Sequence, residues 1–305
     1  MQPKRHHYIP VFYTKRWSRP IDGKIVEWSR PHKEVVPRFV HPAGTGYLDR
    51  LYEIGDFPTV NAQQVEELFF KPVDGLASEA MMLLERDADN NAWTNGLRSA
   101  WTRFLISLLM RCPEDIEAMR HYWAVDFKKP TAENEARYAS ARSADDPPTF
   151  AEYLAGFPNI ETEKSLFRSL LSLVDNQEVG TFINQMHWRV VDTSIHREQL
   201  LTSDRPVIRT NGIKEPGGHI ALPIGPHRLF IAASEIGVAN ELSKTAAKEL
   251  VRASNIQVVE GACKFVYSQN EAQGRFIRNR HGQTPQVRLA NSTFFQRVSD
   301  RARSS

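Results

Sequence analysis

Cysteine is nearly missing from this chain. Two residues, Cys112 and Cys263, stand in 305. So few thiols exclude a disulfide framework and a cysteine-rich zinc site. Both are expected as buried or semi-buried thiols of a reducing cytoplasm. Long hydrophobic runs are missing too. No stretch of about 18 apolar residues occurs, which excludes a membrane-spanning helix. The basic N-terminal segment leads into aromatics and proline and lacks the apolar core of a signal peptide. No GxSxG, P-loop, GxGxxG or HExxH is found, so the familiar nucleophile-elbow, phosphate-loop, dinucleotide and zincin signatures are out. Internal repeats and low-complexity tracts are also lacking.

What is present is ordinary in bulk and uneven in detail. Hydrophobic residues make up 41% and aromatics 10%, ample for a sizeable buried core. The net charge of +3 hides an asymmetry. Residues 1–40 carry nine Lys/Arg against three acids, and residues 275–305 carry seven Arg against one Asp. The intervening body is therefore acidic. Basic ends on an acidic body suit a nucleic-acid surface, or simply neutralise the body.

The pattern changes twice along the chain. Residues 1–58 hold two short β-branched stretches around Ile25–Val26 and Val35–Val36, expected as strands joined near Ser29–Pro31. From about 61 to 184 the period is helical. Asn61 would cap a first helix. Val65, Leu68, Phe69, Leu76, Ala80 and Leu83 form its apolar face, and Pro72 predicts a break. A second helix carries Leu97, Trp101, Phe104, Leu105 and Leu108 on one stripe. Pro113 opens a third, with Glu114 and Asp115 at its positive end. One further helix spans about 160–184. From 187 strands return. "HWRVVDTS" and "EQLLTSDRPVI" read as a hairpin, and "HIALPIGPHRLFIAAS" as a second one turning at Gly225–Pro226. One helix then covers "ANELSKTAAKELVRASNIQVV". The expected fold is α+β: a central helical block flanked by N-terminal and C-terminal β elements that join in one antiparallel sheet. A single domain over 1–275 is expected, with a basic, weakly structured tail over 276–305.

The densest chemistry lies in "RHHYIPVFYTKRW", residues 5–17. On a strand His6 and His7 would point to opposite faces, and on a helix they would lie about 100° apart. Pro10 holds Ile9 extended and suits the start of a short helix at 10–18. One histidine is thus a candidate for proton transfer or metal binding. Alternatively the pair bonds backbone groups and pins the terminus. Asp204, at the end of the alternating run "LLTSDRPVI", is a candidate metal ligand or general base, or the acceptor of an Asx-turn. Glu66, Glu67 and Glu79 border the first helix's apolar face, Arg103 and Arg111 lie on the second helix with Arg111 continuing the line Phe104, Leu108, and a buried Glu–Arg pair is the plainer expectation. A buried carboxylate there needs a cation.

These motifs resemble a large bacterial family of unknown function that begins H-H-Y-[IV]-P-x-F-Y-L-[KR]-x-[FW]. "VEELFFKPVDGLASEAMMLL", "WTRFLISLLMRCPE", "LLTSDRPVI", "IALPIGPHRLFI" and "CKFVYS" follow in the family's order, over about residues 4–270. Thr14 and Phe265 depart from its usual Leu and Tyr. The resemblance implies motif positions at His6, His7, Tyr8, Pro10, Arg111, Ser203, Asp204 and Pro206, without an activity. The expected function is an intracellular, cytoplasmic nuclease or phosphodiesterase acting on a phosphate-containing substrate, nucleic acid or nucleotide. His6, His7, Asp204 and Arg111 would be catalytic, and a divalent metal would sit on Asp204, His7 and Glu67. One alternative is a nucleotide-using transferase, for instance of ADP-ribose, with Tyr8 and Tyr13 on the cofactor. Another is a non-enzymatic sensor or binding module of a defence or toxin-like system.

Overall fold

Where strands find partners decides this architecture. In the computed structural model the described residues are 5–54, 65–86, 93–125, 129–156, 158–210, 212–286 and 289. Asn61 lies outside them. The chain enters as strand β1 (Arg5–His7), turns at Pro10 into helix α1 (Val11–Thr14), and tightens into a 3-10 turn over Lys15–Trp17. Strands β2 (Ile25–Ser29) and β3 (Val36–Val40) form the expected antiparallel pair. Strand β4 (Tyr47–Asp49) then returns to β1, placing His7 opposite Tyr47.

The helical block departs from the simple 3.6-residue reading at its start. Residues Glu66–Phe70 form a π turn, in which the Lys71 N–H reaches back five residues to the Glu66 carbonyl. Helix α2 (Lys71–Arg86) follows. Pro72 has no N–H to give and its ring crowds the preceding turn, and the wider turn makes room for it. The inserted residue shifts the inward face by one position. Val65, Phe70, Val73, Ala77, Ala80, Met81 and Leu84 are buried, whereas Leu68 is 72% exposed and Leu76 47%. Helix α3 (Asn95–Leu108) matches its predicted stripe and is capped by Thr94, whose hydroxyl accepts the Leu97 N–H at 3.2 Å. Helices α4 (Pro113–Val125), α5 (Ala132–Ala141) and α6 (Phe150–Ala155) follow. The single helix expected over 160–184 is two, α7 (Asn159–Val174) and α8 (Gln177–Gln185). Asn176 stops one and caps the other by accepting the Val179 N–H.

The expected hairpin over 187–208 does not form. Strand β5 (His187–Asp192) pairs with β9 (Arg228–Ala233), which pairs with β8 (His219–Gly225), and β8 with β7 (Ile208–Arg209). Between them β6 (Thr202–Ser203) leaves for the other sheet. Alternation marks a strand but carries no record of its partner, and Arg205–Pro206 turn the chain between sheets. The β8–β9 hairpin stands as predicted. Helices α9 (Ile236–Lys244) and α10 (Ala247–Glu260) replace one expected helix, and β10 (Val266–Ser268) follows.

Strand β10 slots between β2 and β6, giving the order β3-β2-β10-β6. N-terminal and C-terminal strands thus share an antiparallel sheet, as expected, but β5, β7, β8 and β9 form a second one, and β1 and β4 a separate two-stranded one. The fold is α+β. Helix α11 (Gly274–Arg280) crosses the boundary expected at 275. Gly274 lies so close to Trp28 that a Cβ would come within 2.6 Å of the ring, and Ile277 is fully buried. The fold therefore runs on past 280, with Thr284 N–H bonded to the Glu260 carbonyl. Among the described residues no helix is long and apolar enough to cross a membrane.

One core takes side chains from every region. Tyr8, Ile9, Tyr13 and Trp17 pack with Phe70, Trp101, Phe104, Met119, Leu170, Trp188, Phe230 and Tyr267. Burying each such side chain contributes about 2 kcal/mol, so the segment at 5–17 is part of the core rather than a frayed end.

Candidate functional site

His6 and His7 lie on strand β1 and so point to opposite faces. His6 turns inward and is fully buried. Its Nδ1 accepts the Tyr52 N–H at 2.9 Å, and its ring stacks parallel on Tyr52 with centroids 5.5 Å apart. His7 turns the other way and is half-buried. Its Nε2 lies 3.4 Å from the Ala43 carbonyl, and its ring leans on Tyr47. Burial pushes the His7 imidazole below its ordinary 6.5; the backbone bond opposes this, and Arg5, Arg111 and His6 add to it. A neutral ring is the form that can accept a proton.

Arg111 lies in the link between α3 and α4 and is fully buried. Its Nε donates to the Tyr8 carbonyl at 2.9 Å, and its Nη1 to Asp74 Oδ1 at 3.0 Å. The rings of Phe70 and Phe104 lie 5.6 and 5.7 Å away. The Arg111 carbonyl accepts the Tyr52 hydroxyl at 2.7 Å. Arg111 thus joins the N-terminal strand, the loop after β4 and helix α2. One of its atoms, Nη2, is buried with no partner.

Glu66 brings a second such atom. The π turn points its side chain inward, and Oε2 is buried and unpartnered. Burial and the Asp74 carboxylate raise its carboxyl to about 7, with Arg111 and Lys71 pulling the other way. No ion pair closes the gap to Arg111. Burial also raises Asp74, against the pull of Arg111. Glu67 faces outward and pairs with Lys71, and Glu79 is exposed. The expected Glu–Arg pair is not seen among the described residues: Arg111 pairs with Asp74 and Arg103 with Asp175. Sequence reasoning passed over Asp74 and Tyr52, since nothing local distinguishes either.

Asp204 sits elsewhere in this network. Its carboxylate accepts N–H groups from Cys263 (2.9 Å), Lys264 (2.6 Å) and Phe265 (3.0 Å). Burial raises it to about 6, against those three bonds. The Ser203 hydroxyl accepts the Arg205 N–H. The bonds of Asp204 run some sixty residues ahead rather than two, so it clamps the loop before β10 to the end of β6. Next to it Arg205 donates to Asp115 at 2.5 Å and Glu114 at 3.4 Å. Those two acids, expected to serve the start of α4, also hold this arginine. Tyr8 connects the two regions. Its carbonyl is held by Arg111, while burial, Tyr267 and Asp204 push its hydroxyl well up. Tyr13 donates to the Pro223 carbonyl and lies 2.7 Å from the Thr202 hydroxyl. At 2% and 0% exposure, neither tyrosine offers a ring face to a nucleotide.

Asp204, His7 and Glu67, the expected metal ligands, have separate partners. Among the described residues no three His, Cys, Asp or Glu form a metal-holding group. Of the two thiols, Cys112 is buried, with Sγ 3.1 Å from the Asp204 carbonyl, but Cys263 is exposed rather than semi-buried. Surface hollows of about 560, 420, 120 and 10 Å³ are lined by other residues. His7 is half-buried, whereas Arg111 is fully buried and bonded to Asp74, with Glu66 buried on the adjoining π turn.

A family model described as "Protein of unknown function (DUF4238)" matches residues 5–272. No curated protein and no solved structure matches the chain.

Proposed function

Because the chain belongs to the DUF4238 family of proteins of unknown function, its chemistry has to come from its own residues, and we propose that it hydrolyses phosphate esters as a histidine-dependent phosphodiesterase or nuclease. The observation that carries this reading is the pair of buried, unpartnered polar atoms, Arg111 Nη2 and Glu66 Oε2. Buried polar groups are nearly always satisfied, and an unmade bond costs about 1–3 kcal/mol. A guanidinium N–H and a carboxyl oxygen left open, on groups whose charges influence each other, suit the binding of an anionic oxygen. The π turn adds support, since such turns recur at functional sites.

In this reading water attacks phosphorus and the bond to the leaving oxygen breaks. His7, neutral at rest, takes the proton from water. Glu66, protonated near neutrality, gives its proton to the leaving oxygen, so the products are an alcohol and a phosphate monoester. Arg111 stabilises the charge that builds on the non-bridging oxygens. Asp74 holds Arg111 in place, and Asp204 keeps the β6–β10 corner.

The test is hydrolysis of bis(p-nitrophenyl) phosphate and of single-stranded RNA and DNA by the purified chain, with and without EDTA. Turnover is expected in EDTA, with a loss of about 100-fold or more in His7→Ala, the usual scale for removing a proton-transfer group. Activity that vanishes in EDTA and returns with Mn²⁺ would overturn the metal-independent mechanism. Equal rates in wild type and His7→Ala would overturn the site.

A further inference from the structure

We infer that helix α11 and the hollow beside it bind single-stranded nucleic acid, with Arg30, Arg275 and Arg278 on the phosphates and a base in the hollow against Arg280. This surface stands on its own residues and does not depend on the phosphodiesterase reading.

The two basic stretches of the sequence meet here. Arg30, just after β2, donates from Nη2 to the His281 carbonyl at 3.2 Å, and His281 caps the C-terminal end of α11. Arg278 on α11 lies over the Trp28 ring of β2, 5.3 Å from its centre. Arg275 precedes Arg278 by three residues, so the two are neighbours on the helix surface. All three arginines are exposed. Among the described residues none of them forms an ion pair. Helix α11 has seven residues. That is about 10 Å at ~1.5 Å per residue, the span of about three phosphates at ~3.4 Å each along one strand. The guanidinium fork suits phosphate oxygens.

Beside this row lies the hollow of about 560 Å³, with Gln273, Arg275, Phe276, Asn279 and Arg280 in its wall. Arg280 is held by Glu260 at 2.5 Å and lies 5.3 Å over the Phe276 ring, with 35% of its side chain still exposed. A guanidinium braced in this way is a stacking plane for a base. The Gln273 and Asn279 amides each carry donors and an acceptor for a base edge. Only an unpaired base can enter such a hollow, which selects a single strand over a duplex.

The charge balance favours an anion. Arg280 and Glu260 cancel, which leaves three arginines against Glu198 in the hollow's wall and Glu271 ahead of the helix. No large apolar side chain of residues 271–286 is exposed, so nothing on α11 would enter a lipid layer.

The experiment is fluorescence anisotropy of the full chain, in EDTA, with labelled oligothymidine, with a duplex of equal length and with polyglutamate, over about 0.05–0.3 M salt. Oligothymidine should bind at least tenfold more tightly than the other two. In Arg30→Gln/Arg275→Gln/Arg278→Gln the slope of log K against log salt should shrink by about 2, since each phosphate contact on a single strand contributes about 0.7. On that slope, affinity at about 0.1 M salt should fall about 100-fold. Arg275→Gln alone leaves every bond described above in place, so it serves where the triple variant folds poorly, and it should lose about fivefold. His7→Ala should bind the strand as wild type does. Duplex or polyglutamate bound as tightly as oligothymidine overturns the choice of partner. Unchanged affinity and slope in the arginine variants overturn the surface, as does a loss in His7→Ala that they do not share. Both results leave the phosphodiesterase reading standing.

Discussion

Replacing Glu66 by glutamine should stabilise the protein, and only above mildly acidic pH. The side chains are nearly the same size, so the change removes the ability to ionise and little else. In the folded chain the Glu66 carboxyl sits at about 7, against an ordinary 4.5. The native state therefore holds this proton more tightly than the unfolded state. Stability falls with pH wherever the native state binds more protons. Glu66 thus costs nothing below about 4.5, costs progressively more as pH rises to about 7, and costs a constant amount above that. The separation amounts to about 3 kcal/mol at 1.36 kcal/mol per pH unit, and little of it is lost to solvent because the residue is 8% exposed. Asp74 titrates in both proteins and cancels to first order. The assay is urea denaturation of wild type and Glu66→Gln at pH 4.5, 6 and 8. The glutamine variant should match wild type at pH 4.5 and exceed it by about 2–3 kcal/mol at pH 8, with the urea slope unchanged. A difference that does not change with pH, or a variant that is weaker at pH 8, refutes the placement of Glu66 in a buried, incompletely paired site.

Other substitutions probe the surrounding scaffold. Arg111→Ala strips the partner from Asp74 and the donor from the Tyr8 carbonyl, and should cost about 3–5 kcal/mol in the same urea assay; a loss under 1 kcal/mol would mean that the buried pair does not form. Asp204→Ala orphans three backbone N–H groups at 2.6–3.0 Å and should cost roughly 3 kcal/mol or more, seen also as faster amide exchange at residues 263–265. Gly46 has φ +64, and a Cβ there would sit 3.1 Å from Ile9 Cβ; Gly46→Ala should therefore lose about 1–2 kcal/mol, and a neutral result would mean that the N-terminal strand does not dock on this loop.

What could be read from the sequence was what depends on local period. The stripe Trp101, Phe104, Leu105, Leu108 is regular and buried, and Arg111 stood out by continuing it. The β8–β9 hairpin was legible from its Gly225–Pro226 turn. Helix α2 was read one position out of phase because a single π turn before Pro72 shifts every later side chain. The partners of β5 and β6 were hidden, since strand pairing is set by contacts distant in sequence. In the site, the opposed directions of His6 and His7 followed from strand geometry. Asp74 did not, because an acid on a half-buried helix face resembles any other among 36. Asp204 was singled out as a metal ligand, a base or the acceptor of a local Asx-turn, but the backbone it grips belongs to a loop some sixty residues on.

The seating of β10 between β2 and β6 has a consequence in time. Val266 pairs with Trp28, so one edge of β2 stays open until residue 266 has left the ribosome. At the usual ~5–20 residues per second, about 240 residues of synthesis take roughly 12–50 s. Throughout that interval the nascent chain offers Ile25, Val26 and Trp28 on a strand whose inner edge has no occupant. A chaperone that shields this hairpin early should raise the yield of folded protein, and a chain stopped before residue 266 should self-associate through it.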